Sequence, residues 1–461
     1  MKFYPQKITH SLALIVLLLF SVVIRLILIF NGGERLHDDG PEFFGHSKNL
    51  YKHLVLHDWN GFFSTKVFGH WGGAMLGSMA FFITSPWLTP AQIYTIFFAI
   101  PSIVNIYLLF RIALLFGGSQ KTALIAAGLY TLSFSGFYQV QHGLYYDFSL
   151  LFFLLGIIFT LKAKHNKSAL LLSGLFYFLC FFSYYGYWTV SFGGMLFLAY
   201  HNKKNLNDFF IRGLIGASGF LIPLGLFFLI GYKYGVNYFQ HFLKFSQTIT
   251  HGNFEQGHEI PFLFLWNAEG LLSLVWLSCL LVSFFYKKEY AIKCSLIAIL
   301  LIYGLWISGS NLFESFVVYG RLVKSIVPLL CLNTAFVMSS INTRSLLVIF
   351  ILLIPNPLIN AWRNWPPTYF QDITKYERAL RKTQGNDRII KLTTRCIPDN
   401  PACHGLFPYL PGDDCLIEKS YPSKFNLGFN QYDGITRDSR DILKEHFLIV
   451  EVNNCLKPDS P

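Results

Sequence analysis

Residues 11–30, SLALIVLLLFSVVIRLILIF, hold one charge, Arg25, in twenty positions. A helix of that length rises about 30 Å, the thickness of a bilayer's hydrocarbon core. The pattern returns ten more times, near 91–110, 122–139, 148–161, 168–182, 187–200, 210–230, 262–285, 292–309, 317–339 and 345–360. The 461 residues are 53% hydrophobic and 13% charged, whereas soluble domains carry about 25% charged residues. An ordinary soluble enzyme, a disordered chain and a disulfide miniprotein are excluded. What remains is an α-helical polytopic membrane protein with about eleven transmembrane helices. The Gly-rich stretch 70–86 is short and only moderately apolar, and reads as a helix lying at the interface. Lys2 and Lys7 precede the first run, but no small-residue cleavage site follows it, so it reads as an anchor and not a removed leader.

Charge orients these runs. With the N-terminus cytoplasmic, the inner segments hold thirteen cations and two acids, a balance of +11. The outer loops (31–69, 140–147, 183–186, 231–260 and 310–324) hold eight cations and nine acids. This is the positive-inside asymmetry, and counting 70–86 as a span would destroy it. The net charge of +12 is therefore an orientation signal, and no nucleic-acid partner is expected.

Residues 1–361 form the membrane part. From 362 to 461 the composition changes to fourteen Lys/Arg and thirteen Asp/Glu, with Pro, Asn and Gly punctuation. β-like runs at 388–394 and 446–452 predict a small C-terminal α+β domain on the outer face. Four of the eight cysteines lie here, Cys396, Cys403, Cys415 and Cys455. In an outward-facing domain they suggest two disulfides with three possible pairings. No C-x-x-C pair is present, which makes a zinc site the weaker reading.

The first outer loop contains His37-Asp38-Asp39-Gly40-Pro41-Glu42 directly after the first run. Asp before Pro is also an ordinary helix start, but capping does not account for two adjacent acids, a third at Glu42 and the nearby His37, His46 and His53. A carboxylate held near others at a membrane boundary can act as a general base. Asp147 stands alone in a short outer connection, where an ionisable residue is costly and so a functional candidate; capping of the next helix is the alternative. Tyr145 and Tyr146 beside it read as interface-belt aromatics, with Tyr146 a candidate accessory. Arg321 and Lys324, before Pro328, either snorkel to headgroups or bind a phosphate. In the second long loop His258 and Glu259 are weak metal-ligand candidates; no cofactor is required by the pattern, and a divalent metal stays open.

The order of these features resembles the GT-C superfamily of integral-membrane glycosyltransferases, in the branch of protein O-mannosyltransferases and the lipid A aminoarabinose transferase. Asp38-Asp39 is similar to the family's acidic pair, followed by a helical pattern that closes at Leu50. The 70–86 segment resembles its interfacial helix. Asp147 before Phe148-Ser149-Leu150-Leu151-Phe152-Phe153 resembles its second-loop acid. Residues 238–242 and 258–262 resemble its long outer loop, and Arg321 with Pro328 its late basic residue and proline. The likeness covers residues 1–345; Asp39 replaces the commoner Glu, and residues 362–461 match nothing in the family.

The resemblance implies a GT-C-like fold and transfer of a sugar from a polyprenyl-phosphate donor to an acceptor hydroxyl on the periplasmic or lumenal face. The acceptor would be a lipid, a glycan or a protein. Asp38 would be the base of an inverting displacement, Asp39 and Asp147 would orient hydroxyls, and Arg321 and Lys324 would hold the donor phosphate. The expected location is a bacterial inner membrane, with the C-terminal domain periplasmic. Two rivals remain: a transporter or flippase of lipid-linked sugars, and a non-catalytic scaffold with an outer binding domain. A scaffold gives no reason for Asp38, Asp147 and Arg321 to converge.

Overall fold

The computed structural model describes residues 5–30, 39–137, 143–251, 265–309 and 320–355, a few positions within these stretches excepted, and three strands nearer the C-terminus. The described chain is mostly helical. It runs through α1 (Pro5–Phe30), α2 (Asp39–Val55), α3 (Trp59–Ser64), α4 (Trp71–Ala80), α5 (Pro90–Leu115), α6 (Gln120–Leu132), α7 (Phe134–Phe137) and α8 (Tyr146–Lys162). It continues with α9 (Lys167–Ser183), α10 (Trp188–Tyr200), α11 (Leu206–Lys233), α12 (Tyr238–His251), α13 (Leu271–Phe285), α14 (Tyr290–Ile307), α15 (Val327–Met338) and α16 (Thr343–Leu353).

Each apolar run contains a helix, and polar side chains in the loops start several of them. Ser119, Asn166, Asn205 and Asn342 each accept a hydrogen bond from a first-turn N–H of α6, α9, α11 and α16, as N-caps do. All four caps fall in loops that the charge pattern assigns to one side. Length separates the helices further: Gln92–Leu115, Leu206–Lys233 and Tyr290–Ile307 are long and apolar enough to cross a membrane among the described residues. Others, such as Lys167–Ser183 and Val327–Met338, are apolar but shorter.

Three runs differ in detail from the sequence reading. The run 122–139 is not one helix: α6 ends at Leu132, Ser133 is its C-cap in extended conformation, and α7 restarts at Phe134. In the run 262–285, α13 begins only at Leu271, after Gly270 at φ 49°. The run 317–339 opens as a 3₁₀ segment, Gly320–Ser325, before α15, whose first turn carries Pro328; proline at that place lacks only an N–H the helix would not have paired. Segment 70–86 contains α4, whose ten residues rise about 15 Å, half a bilayer core.

Apolar side chains line the outside as well as the core. Leu214, Leu221, Ile222 and Leu229 of α11 are 58–68% exposed, and Leu12, Ile15, Val16 and Leu19 of α1 are exposed too. Whole apolar faces turned outward suit hydrocarbon and not water; these are the helices of a multi-pass membrane protein. Within the bundle, small residues bring backbones together. A Cβ on Gly174 would stand 2.0 Å from the Gly216 carbonyl oxygen, and one on Gly219 would stand 2.2 Å from that of Leu171. α9 and α11 thus meet backbone to backbone, the small-residue packing that membrane helices favour.

The C-terminal strands β1 (Arg388–Thr394), β2 (Ile417–Ser420) and β3 (Phe447–Asn453) form an antiparallel sheet in the order β1-β3-β2. β1 and β3 fall on the two β-like runs. Cys396, Cys403, Cys415 and Cys455 lie outside the described residues, whereas Cys180, Cys279, Cys294 and Cys331 are free thiols in the helices.

Candidate active site

The first turn of α8 carries Asp147, which is 1% exposed. It does not cap the helix: Tyr145 holds the N-cap position and makes no side-chain cap bond. Instead, its Oδ2 accepts a 2.7 Å hydrogen bond from the Lys324 ammonium, itself fully buried. Lys324 therefore does not snorkel. The 3₁₀ segment that carries it ends in a short turn in which Ser325 Oγ donates to the Leu322 carbonyl at 2.6 Å. The chain positions 147 and 324 are joined across the fold by one ion pair, and Arg321 is three residues back on the same segment. The Arg321 side chain lies outside the described residues.

Asp147 Oδ1 has no hydrogen-bond partner among the described residues, nor have Asn105 Oδ1, Tyr130 OH and Tyr187 OH. These groups are neighbours. Asn105 Nδ2 donates to the Asp147 backbone carbonyl at 3.1 Å, and Tyr130 and Tyr187 lie within electrostatic reach of the carboxylate. Arg25 is there too, the one charge of the first apolar run, buried to 1%. Its guanidinium donates to Ser102 Oγ at 2.6 Å, to the Gly136 carbonyl at 3.0 Å and to the Ser21 hydroxyl and carbonyl. Two cations and an anion thus lie buried together in the interior, where an uncompensated charge would be very costly.

On the other side of the corner, Glu269 is fully buried. It accepts hydrogen bonds of 2.8 Å from Ser133 Oγ and from the N–H groups of Phe134 and Ser135. This explains the break at Ser133: the carboxylate supplies the partners that a continuous helix would have supplied. Arg25, Asn105, Tyr130, Tyr187 and Glu269 were not singled out from sequence. Arg25 and Glu269 had a signal, since each is a lone charge in an apolar run. The other three had none.

The acidic first loop enters through α2. Asp38 lies outside the described residues; Asp39 and Glu42 are in the first turn of α2, with side chains outside the description. That turn is anchored next to Asp147. The rings of Phe43 and Tyr145 stack at 4.3 Å and 8°, and Tyr145 OH donates to the Phe43 carbonyl at 2.8 Å. One turn on, Ser47 Oγ lies 3.1 Å from both Tyr94 OH and Tyr145 OH. Gly77 allows this: a Cβ there would stand 2.2 Å from Ser47 Oγ. Tyr145 and Tyr146 are completely buried, which corrects their reading as interface-belt aromatics. Tyr146 packs edge-on against Tyr184 at 4.4 Å and parallel to Tyr187 at 6.0 Å, because the turn that carries it faces the pocket and not the lipid.

Of the nearby histidines, His46 is driven down to about pKa 4 by burial and so is neutral near pH 7. His53 bonds Asp58 at 2.9 Å, away from the pocket on the far turns of α2. His37, His258 and Glu259 lie outside the described residues. Among the described residues no three His, Cys, Asp or Glu side chains gather as a metal site would.

No protein-family model matches the chain, and no curated protein matches it. Among solved structures, the chain is similar to the protein O-mannosyltransferase Pmt1-Pmt2 complex of S. cerevisiae bound to the sugar donor, at 15% identity and a TM-score of 0.38, over 56% of this chain and 36% of that one. It is also similar to the oligosaccharyltransferase of Archaeoglobus fulgidus tethered to an acceptor peptide with an NVT sequon, at 14% identity and a TM-score of 0.48, over 82% and 57%. The same archaeal enzyme, AglB, with an inhibitory peptide and a dolichol-phosphate gives 15% identity and a TM-score of 0.46, over 82% and 55%. The chain thus spans about a third to three-fifths of the length of these structures.

Proposed function

We propose that the chain is a membrane glycosyltransferase that moves a sugar from a polyprenyl-phosphate donor to an acceptor hydroxyl at the outer face. The reading rests on one juxtaposition. The turn of Asp147, whose Oδ1 has no partner among the described residues and whose Oδ2 is bonded to Lys324, is clasped to the start of α2, the helix whose first turn carries Asp39 and Glu42. Separate segments of the chain supply Asp147 and Lys324, and a scaffold has no need to pair them in the interior.

In this reading Asp38 takes the proton of the acceptor hydroxyl while that oxygen bonds to the anomeric carbon. The bond from that carbon to the phosphate oxygen breaks on the opposite face, and its electron pair leaves with the lipid phosphate. Configuration inverts, and a phosphate needs no general acid to leave. Asp39 and the open oxygen of Asp147 orient sugar or acceptor hydroxyls, with Tyr146 and Glu42 accessory to them. Arg321 forms the fork on the phosphate, and Lys324, tied to Asp147, adds its charge. Eleven spans, a cytoplasmic N-terminus, a bacterial inner membrane and a disulfide-bonded periplasmic domain over 362–461 complete the proposal.

The decisive experiment is transfer from polyprenyl-phosphate sugars in reconstituted vesicles, with the product followed by mass spectrometry. Asp38→Asn is expected to lower the rate by about 10²–10⁴ with folding intact. Full transfer by that variant would exclude Asp38 as the base, and no transfer by the unaltered chain from any such donor would exclude the function.

A further inference from the structure

A narrow apolar cleft opens between α10 and α14. Its lips are Gly193 and Phe197 on α10 and Cys294 and Ala298 on α14. Each pair is one helical turn apart, so both line one face, and all four are partly exposed, whereas Ile157 of α8 and Leu332 of α15 at the back are buried. Three of the four lips are small, which leaves a slot where Leu would close the seam. A Cβ at Gly193 would meet nothing nearer than Ile302, at 3.7 Å. The lining is almost wholly apolar, so water gains little there.

The slot is far from the charged pocket. Ile157 lies ten residues along α8 from Asp147, a rise of about 15 Å. Its mouth is near the opposite helix ends: Cys294 is one turn into α14, and Phe197 is one turn before the end of α10. Exposed cations stand around that mouth. Lys293 adjoins Cys294, and Lys203 lies over the rings of Tyr200 and Phe209 at 4.5 and 5.2 Å.

We infer that the slot takes one acyl chain of an anionic phospholipid from the leaflet that faces these cations. An apolar lining, an opening toward lipid and basic side chains at the headgroup level specify that ligand together. The site rests on the membrane orientation of the chain and not on the transfer chemistry. A donor whose phosphate sits near Asp147 would feed its tail in from the other end.

The full chain, reconstituted in phosphatidylcholine vesicles with a little phosphatidylglycerol bearing a diazirine on its acyl chain, is illuminated and the adducts mapped. Adducts are expected on the segments 193–197 and 294–298, displaced by unlabelled phosphatidylglycerol and not by phosphatidylcholine. Gly193→Leu should reduce them about tenfold, an occupancy change worth about 1.4 kcal/mol, with labelling of the exposed face of α11 unchanged. As a check that needs no substitution, phosphatidylglycerol should slow alkylation of Cys294 by a membrane-permeant maleimide. Adducts spread evenly over α11 and the slot, or alkylation of Cys294 indifferent to the lipid, would overturn the assignment. So would stronger displacement by polyprenyl phosphate than by phosphatidylglycerol, which would give the slot to the donor's tail.

Discussion

Asp147 and Glu269 are both carboxylates with at most 1% exposure, and they are used in opposite ways. Glu269 takes hydrogen bonds from the N–H groups of Phe134 and Ser135 and from the Ser133 hydroxyl, and both its oxygens are engaged. Asp147 gives one oxygen to Lys324 and leaves the other without a protein partner among the described residues. Burial therefore does not separate these two acids; unfilled acceptor capacity does. An open acceptor in a dry interior costs roughly 1–3 kcal/mol, a cost removed when a ligand hydroxyl arrives. The same test applies to Tyr187, within electrostatic reach of Asp147, whose hydroxyl has no partner among the described residues.

The largest effect that tests this contrast is at the ion pair. Lys324→Met leaves the Asp147 carboxylate buried without its cation and should cost about 3–5 kcal/mol, read as a loss of thermal stability in detergent. Adding Asp147→Leu should recover most of that loss. If the double variant is as unstable as the single one, the pair is not what holds the 3₁₀ segment to α8.

Glu269→Gln comes next. An amide presents a single oxygen to three donors and sets its own N–H groups against them, for a loss of roughly 1–3 kcal/mol. Transfer per folded molecule should be unchanged, whereas Asp147→Asn should lower it. Equal losses of transfer in the two variants would erase the distinction between the acids.

The framework was legible because membrane helices are written as long apolar runs, and loop cations orient them. What escaped is polar and three-dimensional. The break after Leu132 has no local mark beyond Ser133, because the group that stabilises it, Glu269, arrives from 136 residues away. The burial of Tyr145 and Tyr146 was misread because tyrosines at a membrane boundary have the same composition whether they face headgroups or a pocket. Asp147 stands out in sequence as an isolated acid and Lys324 as half of a cationic pair with Arg321, but sequence offers no means of pairing residues 177 positions apart.

The clasp on α2 gives a smaller effect. Tyr145→Phe removes the bonds to the Phe43 carbonyl and to Ser47 but keeps the stacked ring, so stability should fall by only about 1 kcal/mol. Transfer should fall further than stability does, because the first turn of α2 loses its fixed distance from Asp147. Parallel losses in the two measurements would make the hydroxyl merely structural.

The smallest effect comes from a third carboxylate, Asp58, which differs from the first two in being partly open to solvent. Asp58 caps α3 through Gly61 N–H at 2.8 Å and bonds His53 at 2.9 Å. The backbone N–H first, and His53 second, hold its pKa below the ordinary carboxylate value. A lowered pKa means that the cap is complete above the value of the unfolded chain and is lost as pH falls through the folded one. α3 should therefore fray on acidification below about pH 4, seen as faster amide exchange at Gly61 and Phe62. Asp58→Asn keeps an acceptor for Gly61 and should flatten that pH dependence while leaving Asp147 and Glu269 undisturbed, since this acid is partly open to solvent and they are buried.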